Sequence, residues 1–287
     1  MKITQLDVPQ GTIGEGPVWD VAEQALYWID ILEKKIHRYD AAGGKTKTWN
    51  VPDMIGSMAV RESGGVIAAL AGGIHTLDLE TGECSLLATH DDLDETVQLA
   101  DGKVDRKGRF IVGSSDRKMK EPRGKLYSLE AGALREIDND YFLSNGPCWS
   151  PDNKTFYHSD SIRKTIYAYD YDIATGKVAN RRAWASTEEF GGIPDGATVD
   201  AGGCMWIAIC EGGKVVQFTP DGKVERIVET PVKCPASVIF GGPDLDLLYV
   251  PSLSPAFLGR EADPLDGSMF VIEGLGAKGV AEPRYAG

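Results

Sequence analysis

The chain is short of the two residue types that most often mark soft-metal sites. It has 4 histidines and 5 cysteines in 287 residues. The cysteines are Cys84, Cys148, Cys204, Cys210 and Cys234; no CxxC pair occurs, and an odd number cannot pair completely. A disulfide framework and a Cys-rich zinc site are therefore excluded, and free, mostly buried thiols are expected. Cys204 and Cys210 fall on one expected strand, where six residues span ~20 Å, too far to bridge. No run approaches the ~18–20 apolar residues of a membrane helix. The opening Met1-Lys2-Ile3-Thr4-Gln5-Leu6-Asp7 lacks an apolar signal core, so a cytoplasmic location is expected. Positive charge is also scarce: 30 Lys and Arg stand against 43 Asp and Glu, a net charge of −13. That balance argues against nucleic acid and anionic membranes as partners. We find neither an amphipathic helix nor a low-complexity linker.

One short pattern recurs instead. It begins at Glu15, Ser57, Asp101, Asn145, Asp195 and Ala236, at steps of 42, 44, 44, 50 and 41 residues. A period of about 40–50 residues with short strands in each unit signals a β-propeller. Second apolar runs follow at 25–31, 65–70, 109–112, 155–158, 204–209 and 247–250. Turn residues such as Ser63-Gly64-Gly65 and Asp200-Ala201-Gly202-Gly203 separate them from the anchors. Third runs lie at 35–39, 73–79, 125–129, 165–169, 214–218 and 268–272, each leading to a more polar outer strand. The expected fold is all-β: one domain over 1–287, a six-bladed propeller with four antiparallel strands per blade. A single unit cannot bury its faces, whereas a stacked ring can. The ring must close, and residues 3–8 are expected to complete the last blade.

In a propeller the same step of every blade faces the central axis. Glu15, Asn145, Asp195 and Asp101 are therefore expected to meet there. Asp-Gly and Asn-Gly are ordinary turn dipeptides, but Glu15 is not a turn residue, and four such residues at one repeat step point to convergence. Two carboxylates and an amide oxygen, from Glu15, Asp195 and Asn145, suit a hard divalent cation such as Ca²⁺ or Mg²⁺. Mn²⁺, Fe²⁺ or Zn²⁺ also fit an open three-ligand site. Strand direction places the loops between second and third strands over the same face. Two of these are long, 113–124 and 252–267, and are expected to form a lid or pocket wall.

The motifs Ile13-Gly14-Glu15-Gly16-Pro17-Val18-Trp19, Ser144-Asn145-Gly146-Pro147 and Pro194-Asp195-Gly196-Ala197-Thr198-Val199-Asp200 resemble those of the senescence marker protein (regucalcin) and gluconolactonase family. The resemblance runs from about Gly14 to Val250. It implies a six-bladed propeller with one divalent metal, Ca²⁺ favoured, on Glu15, Asn145 and Asp195. It implies hydrolysis of sugar acid lactones, with Asp195 as the catalytic base. The stretches 145–148, 154–158 and 164–168 also resemble bacterial pentonolactonases such as xylonolactonase.

One departure bears on substrate. In many members the third blade reads Arg-x-Asn-Asp-Gly-Lys-Val-Asp; here Gln98 and Ala100 replace the arginine and asparagine beside Asp101. Those two positions ordinarily contact the sugar, so gluconolactone specificity does not carry over. Lys103, Lys120 or Arg123 could supply a substitute anchor, and Glu211 is placed to line the pocket. His158 is expected to be a hydrogen-bonded inner-strand residue rather than a general acid, and Cys148 and Cys210 lack a histidine that would activate a thiolate. The rival functions are phosphotriester hydrolysis, which a deeper apolar pocket would favour, and metal or ligand binding without turnover.

Overall fold

The computed structural model describes all 287 residues. Its strands form six four-stranded antiparallel sheets, one per expected repeat. The innermost strands are Gly14–Asp20, Ile55–Val60, Val97–Val104, Ser144–Trp149, Ile193–Val199 and Ile239–Gly241. Each heads a hairpin in which the next strand pairs back along it. Lys2–Gln5 pairs with Met269–Glu273 as the outer strand of the sixth blade, so the two ends of the chain close the ring. The paired segment is shorter than the expected 3–8, although the Leu6 N–H still donates to the Met269 carbonyl at 2.8 Å.

Packing explains why the ring is the stable unit. The apolar core divides into six clusters, and each takes its side chains from two neighbouring blades. Ile29 and Tyr27 of blade one pack with Met58 and Ala68 of blade two, for example. Trp19 and Trp28 of blade one pack with Ile239 and Tyr249 of blade six across the closure. Removing such a face from water is worth about 25 cal/mol per Å², and no blade can gain it alone.

The second strand of blade three runs Phe110–Asp116, longer than the expected 109–112. Its tail, Gly113-Ser114-Ser115-Asp116, has loop-like composition, yet residues 114–116 pair with residues 97–99. Small residues are required there: a Cβ on Gly113 would lie 1.8 Å from the Ser144 hydroxyl of blade four. The loop that follows is accordingly 117–123. The other long connection, between Leu247–Pro251 and Met269–Glu273, carries a short 3-10 turn at Pro255–Leu258.

The last residues cross the far end of the ring. Tyr285 bridges to Arg61, Gly279 to Asp200, and the Ala286 N–H donates to the Gly108 carbonyl at 3.0 Å. Arg284 binds Asp20 at 2.6 Å, and Glu282 receives Arg106 at 2.8 Å. The tail thus ties blades one, two, three and five together on the face opposite the long loops.

Candidate active site

Five of the six innermost strands break register where the anchor residues sit. The shifts fall between Glu15 and Val18, Ile55 and Ser57, Leu99 and Gly102, Asn145 and Cys148, and Pro194 and Ala197. A bulge turns a strand locally and re-aims its side chains. Here it turns Glu15, Asp101, Asn145 and Asp195 toward one cavity. Neighbouring strands then come very close. Gly146 has φ +63°, and a Cβ there would lie 2.8 Å from the Asp195 carbonyl. The glycines after Asp101, Asn145 and Asp195 are thus a packing requirement of the ring, since a Cβ on each would come within 2.9, 2.8 and 1.8 Å of a neighbour.

The cavity has a volume of about 290 Å³. Glu15, Asn145 and Asp195 all line it, as do Gln98, Ala100, Asp101 and Glu211. Glu15 and Asp195 are 8% exposed, and their carboxyl groups face the same cavity. Burial, and then the repulsion of neighbouring carboxylates, holds both well above the usual carboxylate range. Burial also raises Asp101.

Asp101 differs from the other two acids. Its Oδ1 accepts from the Gly102 N–H at 2.8 Å and its Oδ2 from the Gly146 N–H at 2.9 Å. Both oxygens are committed to the backbone, so Asp101 ties blade three to blade four. No three His, Cys, Asp or Glu side chains stand together in metal-binding geometry. The donor set that remains is two acids and an amide. Asn145 Nδ2 donates to the Ser161 hydroxyl at 2.9 Å, and that hydroxyl donates to the Pro194 carbonyl at 2.6 Å. With its amino group so held, the Asn145 Oδ1 takes no hydrogen bond from the protein. Mutually repelling buried acids beside a free amide oxygen fit a divalent cation, which would relieve the repulsion and use the oxygen.

Lys103, Lys120 and Arg123 do not reach the cavity. Lys103 Nζ donates to the Ala197 carbonyl at 2.8 Å and lies 3.8 Å from Glu282, on the side of the C-terminal tail. The Lys120 side chain is exposed. Arg123 is drawn to the rim by Thr96 and by Asp94, the latter at 3.3 Å. The 117–123 loop contributes Met119 instead, and the 252–267 segment contributes Leu253, Phe257 and Leu258. Both long loops therefore border the face that carries the acids, as strand direction requires. Glu211 sits at the exposed edge, paired with Arg260 of the second loop at 2.6 Å.

His158 is fully buried, with Nε2 2.6 Å from the Ser144 hydroxyl. Burial pushes it down to about 3, so it is a neutral structural residue. All five cysteines are free. Cys210 lines the cavity, where a hydrogen bond with the Cys234 thiol and then burial keep it protonated. Burial pushes Cys148 up to about 12. Neither is an activated nucleophile. Ser161 is the positioning residue that the repeat pattern does not single out. Its signal is local: the second strand of blade four, Thr155–Asp160, ends in Ser159-Asp160, and Ser161 opens the turn that follows, a polar end near the anchors.

Residues 13–254 match the model of the SMP-30/Gluconolactonase/LRE-like region. The chain belongs to this family. A 6-deoxy-6-sulfogluconolactonase of Pseudomonas putida is 38% identical over 280 residues, covering 96% of this chain and 95% of the relative. Regucalcin of Xenopus laevis is 36% identical over 288 residues, again covering 96% and 95%. A crystal structure of regucalcin from Agrobacterium tumefaciens, described as a calcium-binding protein, superposes with a TM-score of 0.90. It shares 27% identity and covers 98% of this chain and 96% of its own. The SMP-30/gluconolactonase match ends at 254, so Phe257 and Leu258 lie outside the matched region.

Proposed function

We propose that this protein hydrolyses a lactone at a divalent-cation site formed by Glu15, Asn145 and Asp195. Sugar acid lactones such as pentono- and gluconolactones are the reference substrates, in keeping with the sulfogluconolactonase relative. The observation that carries the reading is the pair of carboxyl groups of Glu15 and Asp195, buried at one open cavity beside the fixed amide of Asn145. Such a pair is costly to hold without a positive partner, and costly buried acids in a cavity mark functional sites.

A cation of the Ca²⁺ type would supply positive charge beside the lactone carbonyl and favour the oxyanion formed on addition. Asp195 is the base: its carboxylate takes a proton from the water that attacks the carbonyl carbon. The ring C–O bond then breaks, and the proton passes from Asp195 to the departing alkoxide, leaving a hydroxy acid. Glu15 keeps negative charge beside Asp195 and shares the cation with it. Ser161 fixes the amide of Asn145. The apolar wall limits stray water around the ring.

A second reading is phosphotriester hydrolysis at the same residues. The apolar lining of the cavity favours it. Initial rates on a panel of lactones and phosphotriesters, with and without added divalent cations, separate the two. Faster turnover of a phosphotriester than of every lactone would overturn the lactonase reading. Cation binding with no turnover of either class would make the protein a binder.

A further inference from the structure

The polar groups of the cavity are few, and almost all are already engaged. No Lys, Arg or His lines it. Glu15, Asn145 and Asp195 belong to the cation site proposed above. Both oxygens of Asp101 accept backbone N–H groups. The Ser115 hydroxyl accepts from the Ser144 N–H at 3.0 Å. Glu211 is held by Arg260 at the edge. One side chain is left over: the Gln98 amide, whose Oε1 is buried without a hydrogen-bond partner. A single amide cannot serve the several hydroxyls of an aldonolactone, each of which would shed water on entering. Hydroxyls buried without partners oppose binding.

The remaining wall is apolar. Met54, Leu99 and Ala100 line the cavity from blades two and three, and Met119, Phe257 and Leu258 reach it from the two long loops. Those last three are 46%, 40% and 52% exposed, although they are among the larger apolar side chains of the protein. Exposed apolar groups gathered from separate loops at the mouth of a catalytic cavity mark a ligand-binding surface. A volume near 290 Å³ suits one small ring with a short substituent.

We propose that the favoured substrate is a lactone whose ring carries an alkyl or aryl substituent, lying against Met119, Phe257 and Leu258, with at most one polar substituent, directed at the Gln98 amide. The proposal rests on the lactonase reading and narrows it. Ala100 offers only a methyl group and Gln98 an uncharged amide, so neither sets a charge against the ring.

The test compares rings of equal size. Hydrolysis of δ-nonalactone and of glucono-1,5-lactone is followed with the full chain in CaCl₂. The alkyl lactone is expected to show a kcat/KM at least tenfold higher. Phe257→Ser combined with Leu258→Ser, both at exposed positions, is expected to lower that ratio about tenfold, mainly through KM. Gln98→Leu is expected to cost a hydroxyl-bearing alkyl lactone about tenfold more than the plain one. Preference of the wild-type protein for gluconolactone would overturn the proposal, as would a ratio insensitive to the loop substitutions. Binding of the matching lactams, which resist hydrolysis, keeps the two readings apart. Tighter binding of the alkyl lactam without turnover of any lactone would sink the hydrolase reading and support the ligand class. Tighter binding of the hydroxylated lactam would sink the ligand class.

Discussion

Ser161→Ala probes the site without touching a proposed ligand. The hydroxyl is fully buried, and it links the Asn145 amide to the carbonyl preceding Asp195 by contacts of 2.9 and 2.6 Å. Removing it orphans the Pro194 carbonyl and the Asn145 amino group. A buried polar group left unpaired costs about 1–3 kcal/mol, less where water can reach it, as at half-buried Asn145. The sum is about 2–4 kcal/mol, which for a domain of this size lowers Tm by roughly 3–7 °C. The amide would also be free to rotate and present nitrogen instead of oxygen to the cation. Loss of such a supporting hydrogen bond typically weakens metal affinity about 10–100-fold. Calorimetric titration of the chelator-treated variant with Ca²⁺, alongside its thermal melt, measures both effects. A variant that loses stability yet binds Ca²⁺ as tightly as the wild type would show that the Ser161 bridge does not orient a ligand.

Three further outcomes are expected. His158 sits near 3 in the fold against an ordinary value of about 6.5, so the unfolded chain takes up a proton that the folded one refuses. Its contribution is complete above about pH 6.5 and is lost as pH falls toward 3, at ~1.36 kcal/mol per pH unit, or about 3 kcal/mol between pH 6.5 and 4.5; urea midpoints of wild type and His158→Asn over that range should converge in acid, and parallel curves would contradict the assignment. Gly196→Ala would set a Cβ 1.8 Å from the Ser237 hydroxyl and prise blade five from blade six, costing about 1–3 kcal/mol in a denaturant titration; an unchanged midpoint would show that the ring has slack there. Lys120→Ala and Arg123→Ala should leave kcat/KM for any lactone within about twofold, because neither side chain borders the cavity; a larger loss would place one of them on the substrate.

More of the fold than of the pocket wall is legible in the sequence. Repeat spacing identifies the six inner strands and the convergence of Glu15, Asn145 and Asp195, because a propeller carries equal steps to one axis. Closure by the N-terminal strand follows from the same need to satisfy a sheet edge. The bulges are hidden, although the glycines after Glu15, Asp101, Asn145 and Asp195 are visible; X-Gly looks the same at a turn and at a bulge. The direction of the loop side chains is hidden for a related reason. Charge marks Lys120 and Arg123 as candidates, but loop side chains are aimed by tertiary contacts, and Asp94 and Thr96 draw Arg123 outward while Met119 lines the cavity. Asp101 shares the repeat step of the other acids, yet two backbone N–H groups claim it. The crossing of the C-terminal tail has no local pattern at all, since it rests on single long-range pairs such as Arg284 with Asp20.

The central claim is cation-dependent ring opening at the Glu15–Asn145–Asp195 site. Its most direct test is the initial rate of lactone hydrolysis by chelator-stripped protein as Ca²⁺ is added back, in wild type and in Asp195→Asn. The account predicts a rate that rises with Ca²⁺ to saturation in the wild type and stays near the uncatalysed background in the folded variant, which keeps an oxygen but has no base. A full wild-type rate in excess chelator that no added divalent cation increases, or undiminished turnover by Asp195→Asn, would contradict it.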